Sequence, residues 1–121
     1  MIRREWNKIA KRAVWSWAGW LDAWRHEHSM HQWVVANIVS AGLALILPLT
    51  FAERAVILPL GVLVLAMELM NTAIERTVDY ISTEEHDLAG RAKDLASGAV
   101  AVTAIAVGVA WAVVLWRLIA G

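Results

Sequence analysis

Three long apolar runs, 33–51, 55–74 and 95–118, leave this chain few folds to choose from. Each is close to the roughly 20 residues that cross about 30 Å of hydrocarbon as a helix. One domain of 121 residues has too little interior to bury three such runs in water. Lipid is the solvent that suits them, and a composition of 60% apolar and 18% charged residues agrees. Because lipid leaves no backbone polar group a water partner, the runs are expected as helices. The expected fold is therefore an all-α membrane protein of one domain, 1–121. It would have a surface helix at about 4–28 and transmembrane helices at about 33–51, 55–80 and 93–118.

Basic residues orient these spans. Arg3, Arg4, Lys8, Lys11, Arg12 and Arg25 precede the first span, and Arg76, Arg91 and Lys93 follow the second. Only Arg54 and Arg117 lie on the other side. The positive-inside rule puts the N-terminus and the second connection in the cytoplasm. Tryptophans and charges are mixed through the first thirty residues, which is unlike a cleavable signal peptide. A formal net charge of zero points to no nucleic-acid partner, and the absence of cysteine removes disulfides and thiol chemistry.

Between Trp6 and Trp24, the apolar residues Trp6, Ile9, Ala10, Ala13, Trp17, Trp20, Leu21 and Trp24 recur at three- and four-residue steps. Lys8, Lys11, Arg12 and Asp22 fall on the opposite side. This is the pattern of a helix lying in the headgroup layer, where tryptophan rings and a basic face are both favoured. Trp15 projects from the polar face, where it would stack on a purine or pack against a loop or a neighbouring subunit. The first connection, around 50–54 with Pro48 and Pro59 on either side, is too short to hold a site. The third span carries Gly98, Ala99, Ala101, Ala104, Gly108 and Ala112, small residues that let helix backbones pack closely. Trp111 and Trp116 suit an interfacial belt.

The segment from Met67 to Tyr80 holds the most chemistry. Glu68, Asn71, Glu75 and Asp79 are spaced three, four and four apart, so they line one helix face. Counting from Ala55 at about 1.5 Å per residue puts Glu68 roughly 20 Å into the bilayer and Glu75 near its cytoplasmic boundary. A carboxylate at such a depth costs on the order of 2.5 to 3.5 kcal/mol on insertion scales, which marks Glu68 as functional. It is a candidate general base for an alcohol proton; the structural alternative is a neutral acid hydrogen-bonded to Asn71 or to another helix. Glu75 lies about 10 Å further on and suits a hydrated magnesium on nucleotide phosphates. Glu27, where the surface helix meets the first span, is the candidate second carboxylate, with a solvated charge as its alternative.

The stretch 82–94, STEEHDLAGRAKD, reads as a cytoplasmic loop in which Arg91 and Lys93 can meet phosphate. It lacks a Walker-type glycine loop, which excludes ordinary nucleotide-binding folds. His26, His28 and His31 are spaced for no common zinc arrangement and read as interfacial polar residues.

Glu68, Asn71, Ala73, Ile74, Glu75 and Asp79, followed by His86, Leu88, Gly90, Arg91, Ala92, Lys93 and Asp94, resemble the signature of the prokaryotic diacylglycerol kinases. The likeness extends over nearly the whole chain, including Trp17, Gly19, Trp24 and Glu27 and the three-span layout. It implies an inner-membrane homotrimer that uses ATP and magnesium to phosphorylate diacylglycerol, with active sites between subunits. On the matching positions Glu68 would be the general base, and Glu27 and Glu75 would hold the metal. Asn71 would support the site, and Asp79, Glu84, His86, Lys93 and Asp94 would hold nucleotide, with Ser97 near the lipid headgroup. Trp15 stands where the family usually has tyrosine near the nucleotide, and Lys8 where it often has arginine. The departure comes after Glu27, where Met30, His31 and Trp33 replace the usual phenylalanine, arginine and acidic or histidine residue, at a place that bears on lipid choice.

Undecaprenol kinase, a member of the same family, would use the same residues on a polyprenyl alcohol. From other classes, an intramembrane ion pathway or a structural oligomer would also use a polar stripe or small-residue packing. A pathway should continue to the far side, yet beyond Glu68 the spans supply only Asn37, Ser40 and Thr103.

Overall fold

The computed structural model describes residues 1–121 as four helices: α1 (Ile2–His26), α2 (His28–Ile46), α3 (Phe51–Ile81) and α4 (Asp87–Ala120). The last three are long and apolar enough to cross a membrane. At about 1.5 Å per residue α2 is about 28 Å long, close to the hydrocarbon thickness, whereas α3 and α4 are about 46 and 51 Å. Both therefore overrun the apolar layer, and the excess at the end holding Ser82–His86 carries Glu75, Asp79 and Lys93. This is the local reason a polar site forms at one end of an apolar bundle.

Three boundaries differ from the sequence reading, each for a visible reason. The surface helix and the first span are separated by Glu27 alone, in extended conformation, so α2 begins at His28 instead of near residue 33. Buried Ala23 and Met30 on either side of this corner pin it to the bundle. The first connection is Leu47–Thr50, earlier than 50–54, because Thr50 and Glu53 form a reciprocal capping box that starts α3 at Phe51. Pro59 consequently lies well inside α3 and not at its end. The supposed loop 82–94 contracts to Ser82–His86: the His86 ring accepts the Leu88 N–H at 3.1 Å and caps α4, so Asp87–Asp94 are helical.

At the opposite end, Ala44, Leu49, Ile57 and Val114 form a small core, with Leu47, Trp111 and Leu118 packed on it. Arg54 donates to the Ala44 carbonyl at the end of α2 and to the Leu47 carbonyl just beyond it, which also accepts the Leu49 N–H. Arg117 makes a forked contact with Glu53 at 2.6 and 2.7 Å and reaches the Pro48 carbonyl at 3.1 Å. Trp111, expected in an interfacial belt, is half-buried and donates its indole N–H to Ser40 at 2.8 Å. Mid-bundle, Gly61 lets α2 and α3 approach: a Cβ there would lie 2.0 Å from the Asn37 side-chain oxygen.

Candidate active site

Glu68 is 4% exposed, with Asn71 and Thr72 buried beside it on α3. Its carboxylate accepts the Ser29 hydroxyl at 2.5 Å. Ser29 reaches it because α2 starts early; leaving residues 29–32 between the expected helices hid this partner. Of the two partners that the structural alternative allows, Asn71 or another helix, the second is seen, since Ser29 belongs to α2; the Asn71 side-chain oxygen is buried with no hydrogen-bond partner. An orphaned buried acceptor beside a buried carboxylate is costly in a finished core, and it leaves an unused hydrogen-bonding position next to Glu68.

One helical face leads from Glu68 to half-buried Glu75 and then to Asp79 at the bundle end. There Lys93 of α4 donates to Asp79 at 2.6 Å across the hairpin. A cavity of about 460 Å³ opens beside this pair and is lined by Asp79, Glu84, His86 and Lys93 among others. Four of the residues expected to hold nucleotide thus share one cavity. With its Nδ1 used as the helix cap, His86 keeps Nε2 for another partner. Asp94 faces elsewhere, lining a groove of about 790 Å³ with Met67, Arg91, Gly98 and Thr103. Ser97 is exposed on α4. Lys8 pairs with Glu5 at 2.9 Å on an exposed stretch of α1, and Trp15 is 66% exposed; neither lines the cavity within one chain.

Glu27 stands at the corner between α1 and α2 and accepts a hydrogen bond from Arg76 of α3 at 3.0 Å. Arg76 also binds Asp22, whose carboxyl the guanidinium hydrogen bond holds below the usual carboxylate range. His26 sits against the same Asp22 at 2.7 Å. Arg76 entered the sequence reading only as a marker of orientation, since a pairing across 54 residues leaves no local pattern. Nowhere do three His, Asp or Glu side chains converge. The chain has no all-protein metal cage, but two carboxylates are what magnesium needs when phosphates and water complete its shell.

Residues 14–115 match the family model for prokaryotic diacylglycerol kinase. The chain is 36% identical over 110 residues to a diacylglycerol kinase of Escherichia coli K12, covering 91% of this chain and 90% of that protein. It is 39% identical over 109 residues to a diacylglycerol kinase of Pseudomonas aeruginosa, covering 90% and 89%. A Helicobacter pylori J99 diacylglycerol kinase is 34% identical over 93 residues, covering 77% and 73%. With three helices able to span a membrane and a likeness that runs through both the buried carboxylate and the α3–α4 hairpin, the chain belongs to the prokaryotic diacylglycerol kinase family.

Proposed function

We propose that this membrane kinase transfers the γ-phosphate of ATP to the hydroxyl of diacylglycerol, with Glu68 as the general base. The observation that supports it most directly is the buried Glu68 carboxylate. It is held by Ser29 and joined along one helix face to a polar cavity at the bundle end. A lipid alcohol lies at the membrane boundary, whereas nucleotide arrives from water. A base near the edge of the apolar layer and a polar cavity beyond it serve both reactants.

In this reading the Ser29 hydroxyl fixes the rotamer of Glu68, and the free carboxylate oxygen takes the proton from the lipid hydroxyl. The lipid oxygen bonds to the γ-phosphorus as the bond to the β-phosphate bridge oxygen breaks, and ADP leaves. Asn71, buried one helical turn from Glu68, supports the site around the base. Lys93, held by Asp79, offers positive charge to the phosphates, and His86 Nε2 offers a further contact. Asp94, on the groove beside α4, and exposed Ser97 one turn further on are the residues assigned to the lipid headgroup. Glu27 and Glu75 are the residues that would hold magnesium, which when bound with ATP neutralises polyphosphate charge. With basic residues flanking this end of the bundle, it faces the cytoplasm.

Of the polar groups beyond Glu68, Ser40 takes the Trp111 indole, Thr103 bonds back to the Ala99 carbonyl and Asn37 lies against Gly61, so they form no continuous polar path. This favours a surface enzyme over an ion pathway. The test is transfer of labelled γ-phosphate from magnesium ATP to diacylglycerol or undecaprenol in mixed micelles. Phosphatidate should form, and Glu68→Gln should lower kcat by about 10²- to 10⁴-fold. Polyprenyl phosphate as the only product would move the assignment to undecaprenol kinase, and full activity in Glu68→Gln would remove the base.

A further inference from the structure

Arg76 touches one of the two carboxylates proposed to hold metal and neighbours the other in the chain: it binds Glu27 through space and follows Glu75 on α3. One guanidinium arm takes Glu27 Oε1, and the other is held by Asp22. We infer that Arg76 is the resting counter-ion of Glu27, occupying the carboxylate until a metal ion delivered with nucleotide replaces it. The inference rests on the proposed role of Glu27 as a metal ligand.

The charges decide the direction of the effect. Without a cation, Glu27 and Glu75 place two negative groups at one end of the bundle, and Arg76 neutralises the nearer arm. A metal ion seeking Glu27 must displace that contact and accept a neighbouring positive charge, so a free divalent ion binds weakly. A metal carried on polyphosphate brings negative charge that offsets the guanidinium, so the loaded nucleotide is preferred over the bare ion. Asp22 makes the exchange reversible: one arm of Arg76 releases Glu27 to the metal while the other stays anchored to Asp22 on α1. Arg76 and Glu27 are 43% and 27% exposed, so screening keeps the competing contact in the range of a surface ion pair, a few-fold in affinity.

The test is a Mn²⁺ titration of the full chain in detergent micelles without nucleotide, read by the electron paramagnetic resonance of the free ion. Mn²⁺ takes the same oxygen ligands as magnesium. Arg76→Gln should bind Mn²⁺ about three- to fivefold more tightly than the wild type. Arg76→Lys, which keeps the charge, should stay within twofold, and Asp22→Asn, which frees α1 while sparing the Glu27 contact, should not tighten binding. Unchanged or weaker binding in Arg76→Gln overturns the inference and makes Arg76 a support for Glu27. Equal tightening in Asp22→Asn also overturns it, since release of α1 would then be the cause. Adding Glu27→Gln to Arg76→Gln should abolish the gain. If tighter binding survives that change, Glu27 is not the ligand, and the metal assignment fails separately from any effect of Arg76.

Discussion

The Ser29 hydroxyl is the one hydrogen-bond partner the fold gives to Glu68, and it comes from a different helix. Hydrogen bonds to a charged group contribute about 1.5 to 3 kcal/mol, so losing this one leaves a buried carboxylate free to change rotamer. Ser29→Ala should lower kcat about tenfold while leaving the KM for ATP within twofold, because the proposed nucleotide contacts are at the other end of the stripe. Ser29→Thr, which retains the hydroxyl, should recover most of the rate. Steady-state phosphorylation in mixed micelles checks both; a raised KM for ATP with unchanged kcat would detach Ser29 from the base. The burial of Glu68 was readable from sequence, because it lies deep in an apolar run. Ser29 was not: a serine beside three histidines and a methionine looks like connector until the corner at Glu27 is known to occupy a single residue.

At the scale of the helices, hydropathy placed the three spans and periodicity placed the surface helix, but charge misled at both connections. The stretch 87–92 was left outside the last helix for its charges, although an overrunning helix outside the bilayer is free to be polar along its length. The Thr50 and Glu53 spacing was a legible capping signal that would have set the start of α3. The close approach of α2 and α3 at Gly61 was not legible, since it depends on which residue of α2 lies opposite. Gly61→Ala puts a Cβ where the Asn37 side-chain oxygen now sits, so Asn37 must rotate or the helices must part. The expected cost is about 1 to 3 kcal/mol, seen as a lower Tm in detergent. Asn37→Ala in the Gly61→Ala background should return part of it, and purely additive losses would show that the two side chains do not meet.

For the whole molecule, burial is the informative quantity: 13 of 121 residues are buried, and Gly98, Ala99, Ala101, Gly108 and Ala112 of α4 lie exposed. Gly98, Ala101, Gly108 and Ala112 fall on one side of α4, with Ile105 among them, and such a stripe gains little from lipid chains and suits a closely packed helix. The same chain holds Lys8 and Trp15 on the outward part of α1, away from the cavity lined by Asp79 and Lys93. Both facts are accounted for if copies of the chain assemble with α1 of one beside the nucleotide cavity of another. Subunits carrying Lys8→Ala and Trp15→Ala would then be weak because their neighbours lack a nucleotide contact, while Glu68→Gln subunits would lack a base. Refolding the two variants together should produce some sites with an intact α1 from one subunit and an intact Glu68 from the other. The mixture should phosphorylate lipid faster than the average of the two variants refolded separately. A mixture no faster than that average would mean that each site draws α1 and Glu68 from the same chain, and Trp15 would then have to reach the nucleotide by movement of its own helix.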